Sequence, residues 1–476
     1  MNNKTNWSSL PVLISVFFFW GFVAASNTIL IPIFKSHFTL TQLQSQMVDF
    51  AFYAAYFVGS LIYFLISYSI GDPLGKIGYK KGLILGLIIS AIGAIGFVPA
   101  AGAQSFALML TSLFIVALGF ALQQIVANPY VIALGDPATG SHRVNLAGGI
   151  NSFGTTIGPL LLSFAIFGSL VPGASGVVSL DAVKTPYIIL CVAFLLFALL
   201  LGVSKLPPIT SSEHVEHSMG AFKYPQLVFG MIAIFVYVGV EVTIQSNLPE
   251  LMKQSYILGM DSSKTVHFIS MYWGSLMIGR WTGAITVFNL SKMKKKILTL
   301  IVPLVAYCVI LGVNYIKFNA ANELDKMNDL YAYFPFVLIL IAGFFMAQEK
   351  PARTMMLFGT LAGIMMIIGL MTTGKTALYS FMSGGLFCSV MWPCIFSLSI
   401  AGLGKFTTQG SSMLIMMILG GAIIPPLQGY ISDISNIHIS YIVPVFCFAY
   451  LAFYGWKSKQ VLKAQGIDYD ANFGSK

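Results

Sequence analysis

The chain has 476 residues, of which 57% are hydrophobic and only 9% charged, with a formal net charge of +10 at pH 7 and a mean hydropathy of +0.84. Soluble globular chains carry about 25% charged residues, so this composition excludes a water-solvated globule and requires lipid as the solvent. The basic excess does not mark a nucleic-acid face, because the Lys and Arg sit in short loops between apolar runs, where the positive-inside rule puts them.

Fourteen apolar runs follow one another, each close to the ~20 residues that cross a bilayer core as a helix. The first, Leu10–Phe34, is too long for the apolar core of a cleavable leader and reads as a permanent helix. The pattern predicts further helices over Gln46–Ile70, Leu83–Gly102, Ser105–Leu134, Asn145–Leu170 and Pro186–Val203. Lys76, Lys80 and Lys81 mark the turn Gly71–Gly82 as cytoplasmic, and Asp136–Arg143 reads as a second polar turn on that side. Lys205–Gln226, with two His, two Glu and three Pro, reads as a linker. Helices over Leu227–Met252 and Val266–Leu290 and the basic turn Lys292–Lys296 come next, the turn being a topology determinant at the headgroups. Ile297–Ile316, the polar loop Lys317–Asp329 and Leu330–Ala347 then form an inserted hairpin, whose two crossings preserve the orientation of everything after it. Thr354–Thr373, Ala377–Gly402, Ser411–Ser432 and Ile439–Trp456 complete the set, and both termini are expected to be cytoplasmic. The expectation is an all-α polytopic membrane protein. A six-helix bundle (1–204), a linker (205–226) and a second bundle (227–476) carrying the hairpin at about 297–347 make up the chain.

Gln123–Leu162 is the stretch richest in chemistry. It threads Gln123, Gln124, Asn128, Asn145 and Asn151 through helix that otherwise looks lipid-buried, and amides in hydrocarbon demand a partner or a cavity. Met391–Gly429 repeats its plan: a Pro in an apolar helix (Pro129, Pro393), a Leu-Gly ending (Gly135, Gly404), a polar turn, and a Gly-rich helix ending in Pro (Pro159; Pro425 and Pro426). The repeat implies two related halves and a polar, uncharged ligand. Gly pairs four apart (Gly82 and Gly86, Gly154 and Gly158, Gly279 and Gly283) are expected to let helices pack closely. The five cysteines lie in apolar helices without metal spacing and read as packing residues; His214 and His217 have no third ligand nearby, so no metal is expected.

Two acids lie well inside predicted helices, Asp49 and Glu241, and one base, Arg280. A carboxylate in hydrocarbon binds a cation, pairs with a base or takes up a proton. Glu241 sits roughly 20 Å along its helix at 1.5 Å per residue, beside Gln245 and Asn247, and is the candidate for cation or sugar contact, the bland reading being a structural pair with Arg280. Asp49, near the outer end of its helix, is a coupling acid or a dipole partner. Arg280 is a structural counter-ion or a gate. A sugar needs amides and carboxylates for its hydroxyls and a flat aromatic for its C–H face. Asn27, Gln124, Asn128, Asn151, Gln245 and Asn247 are candidates for the first, and Trp273 and Trp392 for the second, with packing or an interfacial belt as the plainer role of either Trp.

The residues resemble the major facilitator superfamily, and within it the fucose–galactose–glucose symporter family. The pieces that carry the resemblance are WGFVAASNTILIPIF (Trp20–Phe34), ANPYVIALG (Ala127–Gly135), HRVNLAGGINSFGTTIGPLL (His142–Leu161), YVGVEVTIQSNLPE (Tyr237–Glu250), IGRWTG (Ile278–Gly283) and Pro393–Gly429. The resemblance implies two six-helix bundles rocking about a central sugar site, and cation coupling by proton or sodium without a cofactor. The chain departs from the family in having Asn27-Thr28 where an Asn-Asp pair is usual, Gln124 where fucose-type members carry an acid, and Gly148 where the Asn-Leu-Ala-Gln motif ends in Gln. An acid at Glu241 would then stand in for the one missing from the first helix.

The expected function is uptake of a neutral glucose- or galactose-like hexose by a transporter of a bacterial inner membrane, working as a monomer in the bilayer and without nucleic acid. A fucose or N-acetylhexosamine permease and an uncoupled facilitator stand as alternatives. An enzyme would need a nucleophile–base pair or a metal cluster in the helices, and an ATP-driven pump a phosphate-binding loop; neither pattern occurs. The amides disfavour an exporter of greasy compounds, and the short tail after Trp456 disfavours a sensor.

Overall fold

A computed structural model of the chain describes residues 5–40, 42–167, 180–208, 220–260, 265–288 and 290–467. Among them the regular structure is helical throughout. The first half of the chain supplies α1 (Leu10–His37), α2 (Gln42–Ile70), α3 (Pro73–Ile77), α4 (Tyr79–Gly102), α5 (Phe106–Ala133), α6 (Gly140–Phe167) and α7 (Lys184–Val203). The second supplies α8 (Pro225–Lys253), α9 (Val266–Ala284), α10 (Lys292–Ala321), α11 (Met327–Tyr331), α12 (Phe334–Ala347) and α13 (Pro351–Met371). It ends with α14 (Gly374–Cys388), α15 (Met391–Ile400), α16 (Thr407–Met416), α17 (Gly420–Ile434), α18 (Ile437–Ser440) and α19 (Ile442–Ala464). Twelve helical stretches among the described residues are long and apolar enough to cross a membrane. With α1, 28 residues long, and α9, 19 residues long, they account for the fourteen runs read from the sequence.

The chain divides into two compact units. One holds Met1–Gly135, Phe153–Ala221 and Leu403–Met416; the other holds Asp136–Ser152, Phe222–Gly402 and Met417–Lys476. In the first, α4 and α5 approach through glycine: a Cβ on Gly86 would lie 2.5 Å from Gln123 Cγ and 2.8 Å from the Gly119 carbonyl. Gly154 meets α1 in the same way, 2.5 Å from the Phe18 carbonyl. These glycines therefore pack helices, the role that small residues take where lipid gives no hydrophobic drive between helices. In the second unit the stretch Gly374–Ile400 is the centre, with 94% of its apolar window enclosed by protein.

The helix expected over Ser411–Ser432 is divided into α16 and α17, the loop expected over Lys317–Asp329 is partly helical, and three further boundaries differ from the sequence reading. The polar turn stops at Thr139, so His142 and Arg143 are first-turn residues of α6 and Arg143 is fully buried. Its guanidinium folds back to close the turn, Nη1 donating to Thr139 Oγ1 at 2.7 Å and Nη2 to the Asp136 carbonyl at 2.8 Å, which removes the need for water. The helix expected over Ala377–Gly402 breaks at Ser389–Val390 into α14 and α15. Pro393 causes this: its ring has no N–H and clashes with the carbonyl four residues earlier, that of Ser389. Finally, the basic turn Lys292–Lys296 is the first turn of α10, capped by Ser291, so the first hairpin helix has 30 residues.

Candidate functional site

Pro129 and Pro393 occupy equivalent places in the repeated plan, and each frees one backbone carbonyl inside a helix. The carbonyl of Ile125, four before Pro129, accepts from Ser411 Oγ at 2.7 Å within the first unit. The carbonyl of Ser389, four before Pro393, accepts from Arg280 Nε at 3.3 Å within the second. The second of these pairings builds the candidate site.

Arg280, on α9, has three further partners. Nη1 donates to Ser152 Oγ at 2.7 Å and to Asn151 Oδ1 at 3.4 Å, and Nη2 lies 3.6 Å from Glu241 Oε1 on α8. Tyr237, one helical turn before Glu241 and so on the same face, donates its hydroxyl to that Oε1 at 2.9 Å. Tyr272 of α9 donates to the backbone carbonyl of Glu241 at 2.7 Å. The charged pair is almost sealed, with side-chain exposures of 12% and 11%. Its 3.6 Å separation is longer than a charge-assisted hydrogen bond, so the carboxylate is held more firmly by Tyr237 than by Arg280. Trp392 stands beside Tyr237, ring centroids 6.1 Å apart, and stacks on Phe396.

Gly148 and Gly149 make room for this cluster. A Cβ on Gly148 would sit 3.2 Å from Arg280 Cδ, so the Gln usual at this point of the family motif would compete with the arginine stem for space. The Gly149 carbonyl accepts from Trp281 Nε1 at 3.2 Å.

Of the residues expected to form the site, the structure joins Glu241, Arg280, Asn151 and Trp392 in one cluster of the second unit. In the same unit Trp273 is half-buried and edge-on to Tyr272 at 5.9 Å, and Gln245 is half-buried on α8. Asn247 Nδ2 donates to the carbonyl of Thr243 at 2.9 Å, and Thr243 Oγ1 donates to Gln428 Oε1 at 2.9 Å, whose amide reaches Ser440 Oγ at 3.2 Å. In the first unit Gln124 Nε2 donates to Tyr56 Oη at 3.2 Å, and Asn128 Nδ2 donates to the Gln124 carbonyl at 3.0 Å. Asn128 Oδ1 is buried without a hydrogen-bond partner among the described residues, and so offers an acceptor. Asn27 and Asp49 lie on α1 and α2, and their side chains fall outside the described residues.

Ser152, Ser389, Tyr237 and Tyr272 belong to the cluster and the sequence reading missed them. Tyr237 was recoverable from its i−4 spacing to Glu241, and the Ser389 carbonyl from Pro393. Gln123 is a lock: it accepts from Trp20 Nε1 at 2.9 Å and donates to Ser90 Oγ at 3.1 Å, joining α1, α4 and α5 with no exposure. Gln123→Leu should therefore leave a buried indole N–H unpaired and cost about 1–3 kcal/mol, read as a lower melting temperature in detergent with an unchanged KM for transport.

The buried ion pair, bracketed by an amide and aromatics, lies among helices of membrane-spanning length and apolarity. The chain belongs to the Major Facilitator Superfamily, whose profile matches residues 12–348, and it is a transporter and not an enzyme. It is 34% identical over 457 residues to the glucose/galactose transporter of Brucella abortus (strain 9-941), covering 95% of each chain. To the L-fucose-proton symporter of Escherichia coli K12 it is 30% identical over 463 residues, covering 92% of this chain and 90% of the relative. The crystal structure of the superfamily transporter FucP in its outward conformation matches with a TM-score of 0.71 at 26% identity, covering 94% of this chain and 98% of that one.

Proposed function

We propose that the protein is a secondary active transporter that takes up a neutral hexose, glucose- or galactose-like, by cation-coupled symport with alternating access between bundles 1–204 and 227–476. The observation that carries this reading is the sealed Glu241–Arg280 pair with Tyr237 and Trp392 against it. A carboxylate so placed can exchange its partner for a proton or a sodium ion, and the indole beside it suits a sugar's C–H face. The similarity to a glucose/galactose transporter over 95% of both chains supports the substrate class. The coupling ion is the protein's only small-molecule requirement besides sugar, the working unit is the monomer, and both termini face the cytoplasm of a bacterial cell at its inner membrane.

A second reading, an uncoupled facilitator, is favoured by Asn27-Thr28 and Gln124, uncharged where coupled relatives of the fucose type carry acids. A fucose or N-acetylhexosamine permease differs only in the sugar. Proteoliposomes given a panel of radiolabelled hexoses, with proton and sodium gradients imposed separately, separate the three. Accumulation of glucose or galactose above the outside concentration under one gradient is the expected result. Equilibration alone under both gradients makes the protein a facilitator, and no uptake of any hexose removes the sugar assignment.

A further inference from the structure

We propose that His142 is a proton-binding site, and that its proton clips the first turn of α6 onto the ends of α9 and of the inserted hairpin. The ring is 7% exposed. Nδ1 lies 2.9 Å from the carbonyl of Gly283, the penultimate residue of α9, and Nε2 lies 3.0 Å from the carbonyl of Glu349, two residues beyond the end of α12. The first is a carbonyl in the last turn of a helix, where the peptide dipoles leave partial negative charge; the second lies in the short turn between α12 and α13.

One ring thus faces two acceptors. A neutral imidazole has a single N–H, so one contact would set a nitrogen lone pair against a carbonyl oxygen. A second proton turns both contacts into charge-assisted donations, and these work against the desolvation of a buried ring. The backbone around Glu349 also needs holding: Gln348 and Glu349 have φ of 54° and 61°, two successive non-glycine residues in the left-handed region, a conformation that surrounding contacts must maintain.

The charged groups about the ring are Glu349, just past α12, and Lys295 of α10, whose Nζ is 3.1 Å from the Glu349 carboxylate. Arg143, next to it in α6, is held by the 136–139 turn, and Arg353 of α13 donates to Gln348 Oε1 at 2.8 Å. From α9 and α15 the neighbours are uncharged, with the Cys394 thiol the titratable one among them. A cavity of about 40 Å³ adjoins the ring, lined by Ser141, Asn145, Thr282, Thr354, Glu349 and Cys394 among others. Ser141 Oγ and Asn145 Oδ1 are buried there with no hydrogen-bond partner among the described residues, and the space admits water. A proton can therefore reach the ring by solvent exchange. When the proton leaves, one of the two contacts turns repulsive and α6 is held to α9 or to the hairpin, not to both.

The opening of this clip during transport rests on the alternating-access reading above, but the proton site itself does not. The test is hydrogen–deuterium exchange by mass spectrometry on the full chain in nanodiscs without sugar, from about pH 5.5 to 8.5, which brackets the ordinary imidazole range. Peptides over 140–146 and 347–354 should lose protection roughly tenfold, after correction for intrinsic exchange, as pH rises through one midpoint. In His142→Gln, neutral at every pH, the same peptides should show a flat profile. Lys295→Met should raise the midpoint by removing a competing cation, and Glu349→Gln should lower it. A flat native profile, a His142→Gln profile that keeps the transition, or a midpoint that neither charge variant moves would overturn the proposal. Should His142→Gln fail to fold, the two charge variants carry the test on the native ring. A protein with the transition but no sugar uptake keeps the clip and loses the transport reading; uptake with a flat profile does the reverse.

Discussion

Glu241→Gln should turn concentrative uptake into equilibration. The carboxamide keeps an oxygen for the Tyr237 hydroxyl and fills nearly the same volume, so the helix pair α8–α9 should survive. It cannot carry charge, cannot take up and release a proton, and cannot balance Arg280. A gradient of one pH unit is worth about 1.4 kcal/mol, or tenfold in concentration, so a coupled carrier at that gradient accumulates sugar about tenfold and the variant should stay near unity. The measurement is the steady-state ratio of inside to outside label in proteoliposomes, with counterflow as the check that the variant still moves sugar. If Glu241→Gln accumulates sugar as the native chain does, Glu241 is no coupling group and its role shrinks to holding Arg280.

Arg280→Met should damage the fold, in part through hydrogen bonds that Glu241→Gln keeps. It removes one half of a buried pair, which typically costs 3–5 kcal/mol because the other charge is left uncompensated. It also leaves the Ser389 carbonyl, already deprived of its helix partner by Pro393, without its donor, and takes a donor from Ser152. Protonation of the stranded Glu241 would relieve part of this, so the loss should be smaller in acid. Thermal melting of the purified protein in detergent, followed by fluorescence size exclusion, should show a drop of several degrees. The double variant Glu241→Gln with Arg280→Met should recover part of the drop, because it strands no charge. An Arg280→Met protein that melts with the native chain would mean that the pair contributes nothing net to stability, and Arg280 would then be retained for transport alone.

How much of this was legible in the sequence depended on whether the signal was local. Helix positions follow from apolar run length, a local property, and the fourteen runs correspond to helices. Arg143 misled because a cation in a polar stretch signals a loop, whereas here its guanidinium folds back on Asp136 and Thr139 and is buried. The Glu241–Arg280 pair was accessible because the chain offers so few mid-helix charges that the partners nearly select each other. Ser152 was not, since a serine in an apolar helix ordinarily bonds its own backbone, and nothing local says that an arginine on α9 will reach it. For Asn247 the sequence offers an amide, and only the structure shows its Nδ2 donating to the Thr243 carbonyl, with the Thr243 hydroxyl continuing to Gln428. The family resemblance flagged Gly148 as a missing amide, and only the coordinates explain the gap, since the Arg280 stem runs past it.

The two carbonyls released by Pro129 and Pro393 bear on how the protein can be engineered. Replacing a proline inside a helix with alanine usually stiffens the helix, because the missing i−4 bond closes. At Pro393 that repair would draw the Ser389 carbonyl back into its own helix and away from Arg280, making a sturdier rod and a less firmly anchored cation. A thermostability screen would rank that substitution highly and discard the carrier it set out to preserve, a stability–activity trade-off built into the position of one ring.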